Sequence, residues 1–165
     1  MQGNLDQLGA PEFSKEEHLY AKKYQDTLTR KDIESAYSHA GIDLDEGQVL
    51  AETVVAGDVK PVDMGGSTDV ADVSWVVPTV SLWGANYAIG TPFHSWQMTA
   101  QGKSSIAIKG MTHAAMVMAA TGSDLISNKT ILDDAWSEHN KAIEKEGYTS
   151  PISLSASVPI NDMAS

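Results

Sequence analysis

The chain contains no cysteine, so no disulfide framework can hold it, and no thiolate can bind a metal or act as a nucleophile. Cations are scarce: Lys plus Arg total 11 against 22 Asp plus Glu, for a net charge of −11. That balance disfavours nucleic acid, whose phosphates need many cations, and an anionic membrane surface for the same reason. It leaves room for a divalent cation, which gathers carboxylates. The longest apolar run, Ala114 to Ala120, falls far short of the roughly 20 residues that span a bilayer. The start, Met1 to Asn4, has no basic segment followed by an apolar stretch, so no signal peptide is expected and a cytoplasmic location is the default. No H-x-x-x-H, H-E-x-x-H or G-x-S-x-G pattern and no Walker-type phosphate loop occurs.

What is present suffices for one domain. The 165 residues, 42% of them hydrophobic, can bury a core. Ser14, with Glu17 three residues on, has the spacing of a capping box, and Leu19, Ala21, Tyr24 and Leu28 follow at roughly helical spacing. The pair Glu16 and Glu17 then reads as first-turn acids complementing the helix dipole. Thr29 is placed to cap a short helix over residues 31–37, and Gly41 breaks it. Asp43, Asp45 and Gly47 faintly resemble a calcium loop but lack its further oxygen ligands, so a solvated acidic turn is expected.

Residues 49–59 are rich in β-branched side chains and predict a short strand. Residues 75–83 predict a second, with Pro78 marking an edge, bulge or end. A helix is expected from Ser104 to about Thr121, with Ile108, Met111, Ala115 and Met118 on one face and Gly122 as its stop. Small Gly110 and Ala114 would allow close approach. Another helix is expected from Ile131 to about Glu146, with Leu132, Trp136, His139 and Ile143 sharing a face and Gly147 as cap. Strands alternating with helices predict an α/β layer architecture.

The polar stretch from Gly65 to Asp72 and the loop Gly90 to Gln97 carry the candidate chemistry. His94 can be read as a neutral imidazole ligand or as a histidine packed beside Phe93 and Trp96, and spacing alone favours packing. Asp69 and Asp72 would share one face of a helical turn. Ser67, Thr68 and Asp69 are all good helix caps, while a glycine turn entering a helix also exposes donors to a substrate carboxylate. His113 and His139 read as packing or surface residues.

Three segments, Gly66 to Thr79 (GSTDVADVSWVVPT), Gly90 to Gln97 (GTPFHSWQ) and Gly102 to Ala115 (GKSSIAIKGMTHAA), together resemble the carboxy-terminal part of metallopeptidases of the aminoacylase/carboxypeptidase family. The resemblance is strongest to their aminobenzoyl-glutamate utilisation branch. It extends from about residue 8 to about residue 159. It implies that residues 1–150 are the C-terminal portion of a mixed-sheet α/β/α catalytic domain lacking the inserted dimerisation domain, and that residues 151–165 form an extended or loose tail. It implies a two-metal zinc or manganese site in the intact enzyme, with His94 at the position of the family's final metal-binding histidine. Ser67, Thr68, Asp69 and Asp72 match a loop near the active site, as substrate-facing or ligand-orienting residues.

The departures are equally specific. No histidine is followed two residues on by Asp, Glu16 and Glu17 do not match the family's catalytic Glu pair, and Ile108 stands where relatives often carry His. The expectation is therefore a fragment of an amidohydrolase acting on an N-acyl amino acid or aminobenzoyl-glutamate, inactive and without a tightly bound metal when alone. The alternative is a noncatalytic binding or assembly module. An open sheet edge and uncovered apolar faces predict self-association or pairing with the missing N-terminal half.

Overall fold

Ser14 and Thr29 each start a helix by the same reciprocal device. In the computed structural model, which describes residues 1–59 and 68–150 together with 152, 153, 155 and 156, the Ser14 hydroxyl accepts from the Glu17 N–H and the Glu17 carboxylate accepts from the Ser14 N–H. Thr29 and Asp32 repeat the arrangement. After a short α1 (Gln2–Leu8), these caps open α2 (Lys15–Gln25) and α3 (Arg30–Ala40). Gly41 ends α3 in the left-handed conformation, φ 67°. The remaining helices are α4 (Val70–Val76), α5 (Trp96–Gln101), α6 (Ser105–Ser127) and α7 (Lys129–Glu146). Ser95 and Ser104 cap α5 and α6 through their hydroxyls.

Among the described residues there is no strand, so the expected mixed-sheet α/β/α architecture is not formed. The run at 75–83 is divided: Trp75 and Val76 close α4, and the residues after them take no regular structure. A strand exists only through a neighbour's ladder of hydrogen bonds, and the described residues supply no such neighbour. Residues 49–59 likewise form no strand; one backbone bond, Ile89 N–H to Val49 O at 2.9 Å, ties them to the loop described below. Among the described residues the open sheet edge therefore does not form either. The tail from 151 to 165 lies outside the described residues apart from the four positions named above.

The chain forms two compact units, one of Met1–Gly66 with Val80–Asn128 and one of Ser67–Thr79 with Lys129–Ser165. The core of the first is small: Ala21, Leu50, Ala88 and Ile106 are fully or almost fully buried, with Phe13, Tyr20, Tyr24 and Val49 packed against them. Helix α6 contributes Ile106, Ala107, Gly110 and Val117 to the interior. The apolar face of Ile108, Met111 and Met118 points out: Ile108 is 53% exposed, Met111 61% and Met118 53%. Gly110 decides the orientation. A Cβ there would collide with the Ala85 carbonyl oxygen, so only the glycine face admits the backbone of residues 84–86. Gly122 does not stop α6, which runs on to Ser127.

In the second unit, the Trp75 and Tyr148 rings stack 5.6 Å apart, 15° from parallel, and the Tyr148 hydroxyl donates to Asp72 at 2.6 Å. Gly147, at φ 70°, follows α7 and donates to the Ile143 carbonyl. The face of α7 shared by Leu132, Trp136, His139 and Ile143 is partly exposed, and the Trp136 and His139 rings meet edge to face.

Candidate functional site

The loop from Ala88 to Ser95 is held from beneath by two glutamines. Gln101, fully buried, accepts from the Ala88 N–H at 2.9 Å and donates to the Thr91 hydroxyl at 3.0 Å and the Gln97 carbonyl at 3.1 Å. Gln25, also buried, donates to the Gln48 carbonyl at 3.0 Å and, at the longer distance of 3.4 Å, to that of Ile89. Gly90, at φ 90°, lies so close to Ile33 that no side chain fits there. At the far end the Ser95 hydroxyl donates to the Pro92 carbonyl and accepts from the Met98 N–H. Every polar anchor of this loop is thus satisfied inside the unit.

His94 sits in that loop at φ 58°. A non-glycine residue in the left-handed region costs about 1 kcal/mol, so the surrounding anchors must enforce it. Its side chain is exposed and has no hydrogen-bond partner among the described residues. Phe93 and Trp83, 52% and 66% exposed, pack 5.7 Å apart beside it. Trp96 lies 6.2 Å from Tyr24. The loop presents an imidazole whose nitrogens have no partner among the described residues, next to an aromatic patch.

The other histidines of this unit are engaged. His113 Nε2 lies 2.7 Å from the Gly9 carbonyl. His39 Nδ1 lies 3.3 Å from the Ser35 hydroxyl. His18 bridges the Ser14 carbonyl and Glu52, and these two contacts, the backbone one foremost, raise its pKa.

Thr68, Asp69 and Asp72 belong to the second unit, whereas His94 belongs to the first; Ser67 lies outside the described residues. Asp69 stands at the N-cap of α4 without a side-chain capping bond. The Thr68 hydroxyl accepts from the Val70 N–H at 3.3 Å. Asp72 is in the first turn of α4, where its charge suits the helix dipole, and its bond from Tyr148 raises the pKa of that phenol.

A second polar cluster escaped sequence reasoning. Glu17, 7% exposed, accepts from Ser105 at 2.6 Å and from Lys109 at 2.7 Å in addition to its capping bond. Burial pushes its carboxyl up, but the bonds from Lys109, Ser105 and the Ser14 N–H outweigh burial and hold the pKa at about 2. A cleft of about 570 Å³ opens here between the starts of α2 and α6. Lys109 lies 92 residues away in sequence, and no local pattern points to it.

Among the described residues no group of three or more His, Cys, Asp or Glu side chains could hold a metal ion.

No protein-family model matches the chain, and no solved structure matches it. The chain is 38% identical over 158 residues to a subunit of the p-aminobenzoyl-glutamate hydrolase of Escherichia coli (strain K12), a match covering 90% of this chain and 33% of that protein. It thus spans about a third of the length of the curated relative it matches. The resemblance to the aminobenzoyl-glutamate type of amidohydrolase stands on this identity.

Proposed function

Taking the kinship with that hydrolase as premise, we propose that these residues are one portion of an amidohydrolase that cleaves the amide bond of aminobenzoyl-glutamate or a related N-acyl amino acid. His94 is the metal-binding group this portion contributes. The observation that carries the reading is the exposed imidazole of His94, left-handed in backbone and without a partner among the described residues, in a loop whose other polar side chains, Thr91 and Ser95, are engaged. A strained residue fixed by its surroundings is a mark of a functional position.

One imidazole is too few ligands for zinc or manganese. The other ligands and the general base come from polypeptide outside these 165 residues, so the chain alone has no amidase activity. Ser67, Thr68, Asp69 and Asp72 serve as the substrate-facing or ligand-orienting group, in a cytoplasmic enzyme. A noncatalytic assembly role is the second reading; the outward apolar face of α6 favours it.

Two measurements test the proposal. The purified chain, incubated with zinc or manganese and aminobenzoyl-glutamate, should release no aminobenzoate, and release would overturn the division of labour. Titration of zinc ion into the isotopically labelled chain should shift the His94 ring resonances before those of the other histidines. Shifts elsewhere with His94 unmoved would remove it as a ligand.

A further inference from the structure

We propose that His18 and Glu52 form a pH-sensitive latch: a doubly protonated imidazole holds the segment around Glu52 on α2, and loss of one ring proton releases it. The latch is independent of whether His94 binds a metal. Its geometry is that both ring nitrogens face acceptors. Nδ1 lies 2.8 Å from the Ser14 carbonyl oxygen, and Nε2 lies 2.9 Å from Glu52 Oε2. Neither a carbonyl nor an ionised carboxylate has a hydrogen to give, and a neutral imidazole has one N–H and one lone pair. The neutral ring therefore makes one of the two bonds and turns its lone pair towards the other oxygen. Only the imidazolium makes both. The Ser14 carbonyl stays in reach one turn back on the same helix, whereas Glu52 belongs to a separate segment, so the Glu52 bond is the one that parts.

The charges around the ring act in one direction. Glu52 from the facing segment and Glu17 from the neighbouring position of α2 both favour the proton. Lys22, one turn further along α2, is engaged with Asp26. The contact with the Ser14 carbonyl, then that with Glu52, raises the His18 pKa above its ordinary 6.5. The contribution of the latch is therefore complete below pH 6.5 and is lost as pH rises through the raised value. The side chains of His18 and Glu52 are 34% and 39% exposed, so the ring exchanges its proton with water directly and the pair stays modest in strength.

What the latch holds gives it a consequence. Leu50, two residues before Glu52, is fully buried in the core, so opening loosens the segment without unfolding the unit. The Gln48 carbonyl accepts from Gln25 of α2 at 3.0 Å, and the Val49 carbonyl accepts from the Ile89 N–H at 2.9 Å. Helix α2, this segment and the start of the His94 loop are thus joined by one run of hydrogen bonds, with His18 at its outer end. Protonation of His18 tightens the Val49–Ile89 bond, and deprotonation slackens it.

Nuclear magnetic resonance of the full chain tests this. The His18 ring resonances should titrate with a midpoint above 6.5. In Glu52→Gln the midpoint should fall, because the amide offers an N–H to the neutral ring as readily as an oxygen to the charged one. Exchange of the Ile89 amide, corrected for its intrinsic rate, should lose protection by up to about fivefold as pH rises through the native midpoint, the worth of one exposed ion pair. Amides in the middle of α6 should keep theirs. The pH dependence at Ile89 should vanish in Glu52→Gln and in His18→Gln, whose amide donates to Glu52 at every pH. A native midpoint at the ordinary value, or one that Glu52→Gln leaves in place, overturns the latch. So does an Ile89 protection that is flat with pH in the native chain, or a pH dependence there that survives in His18→Gln.

Discussion

Lys109 Nζ lies 2.7 Å from Glu17 Oε2 and ties α6 to the first turn of α2. Glu17 is almost fully buried while Lys109 keeps 43% of its side-chain exposure, so solvent screening weakens the pair on one side only. Replacing Glu17 by Gln is expected to cost about 2 kcal/mol at neutral pH, less than the 3–5 kcal/mol of breaking a fully buried pair. The pH dependence has a fixed sign. The carboxyl is depressed from 4.5 to about 2 on folding, so its contribution is complete above pH 4.5 and lost as pH falls toward 2. Urea unfolding of both proteins across that window should show the difference at pH 7 and its disappearance near pH 2. A constant difference would mean the pair contributes nothing electrostatic.

Gln101 has no exposed surface and makes three hydrogen bonds beneath the His94 loop. Gln101→Met keeps most of the volume and removes the amide. It should cost about 2 kcal/mol, because the Ala88 N–H is left buried without an acceptor. Hydrogen exchange at Ala88 checks the cause: its amide should lose protection more than those in the middle of α6 do.

Two glycines of α6 should respond in opposite directions to the same change. Alanine is worth about 1 kcal/mol more than glycine inside a helix. At Gly122 an added Cβ meets nothing within 4 Å, so Gly122→Ala should stabilise by up to about 1 kcal/mol. At Gly110 it meets the Ala85 backbone, and the collision should exceed that gain and destabilise. Thermal unfolding of the two variants beside the native chain measures both signs.

The glycines also show what could be read from the sequence and what could not. The caps at Ser14 and Thr29 were legible because each is complete within four residues. Gly110 was legible as a point of close approach, but helical periodicity alone does not say which side of α6 is covered. That choice lies with Ala85, whose approach no local spacing reveals. The run from Trp75 to Trp83 has the composition of a strand, yet a strand depends on a ladder partner, and the described chain supplies none. His94 stood out through its loop and its family resemblance. Its left-handed backbone and the two glutamines beneath it arise from contacts distant in sequence.

Asp72 and Tyr148 offer a test within the second unit. The carboxylate accepts the phenolic hydrogen at 2.6 Å and raises the pKa of Tyr148 above the usual value. Asp72→Asn removes the charge, so Tyr148 should then titrate closer to the ordinary value of about 10. Its ring resonances followed through alkaline pH give the midpoint. The same midpoint in both proteins would mean that the bond does not persist in solution.

His94 should separate stability from binding. It is exposed, has no partner among the described residues and sits at φ 58°, so its imidazole contributes nothing to holding the fold. Glycine tolerates that conformation and alanine does not, so the His94→Gly chain should be more stable than His94→Ala by about 1 kcal/mol. Both should lose the zinc-induced resonance shift that the native loop gives. If His94→Ala instead destabilised by several kcal/mol, the side chain would be a packing element, and its assignment as a ligand would fail together with the prediction. Equal stability of the two variants would show that the loop relaxes out of the left-handed region once the imidazole is gone. Urea unfolding midpoints of the three proteins at one pH distinguish these outcomes.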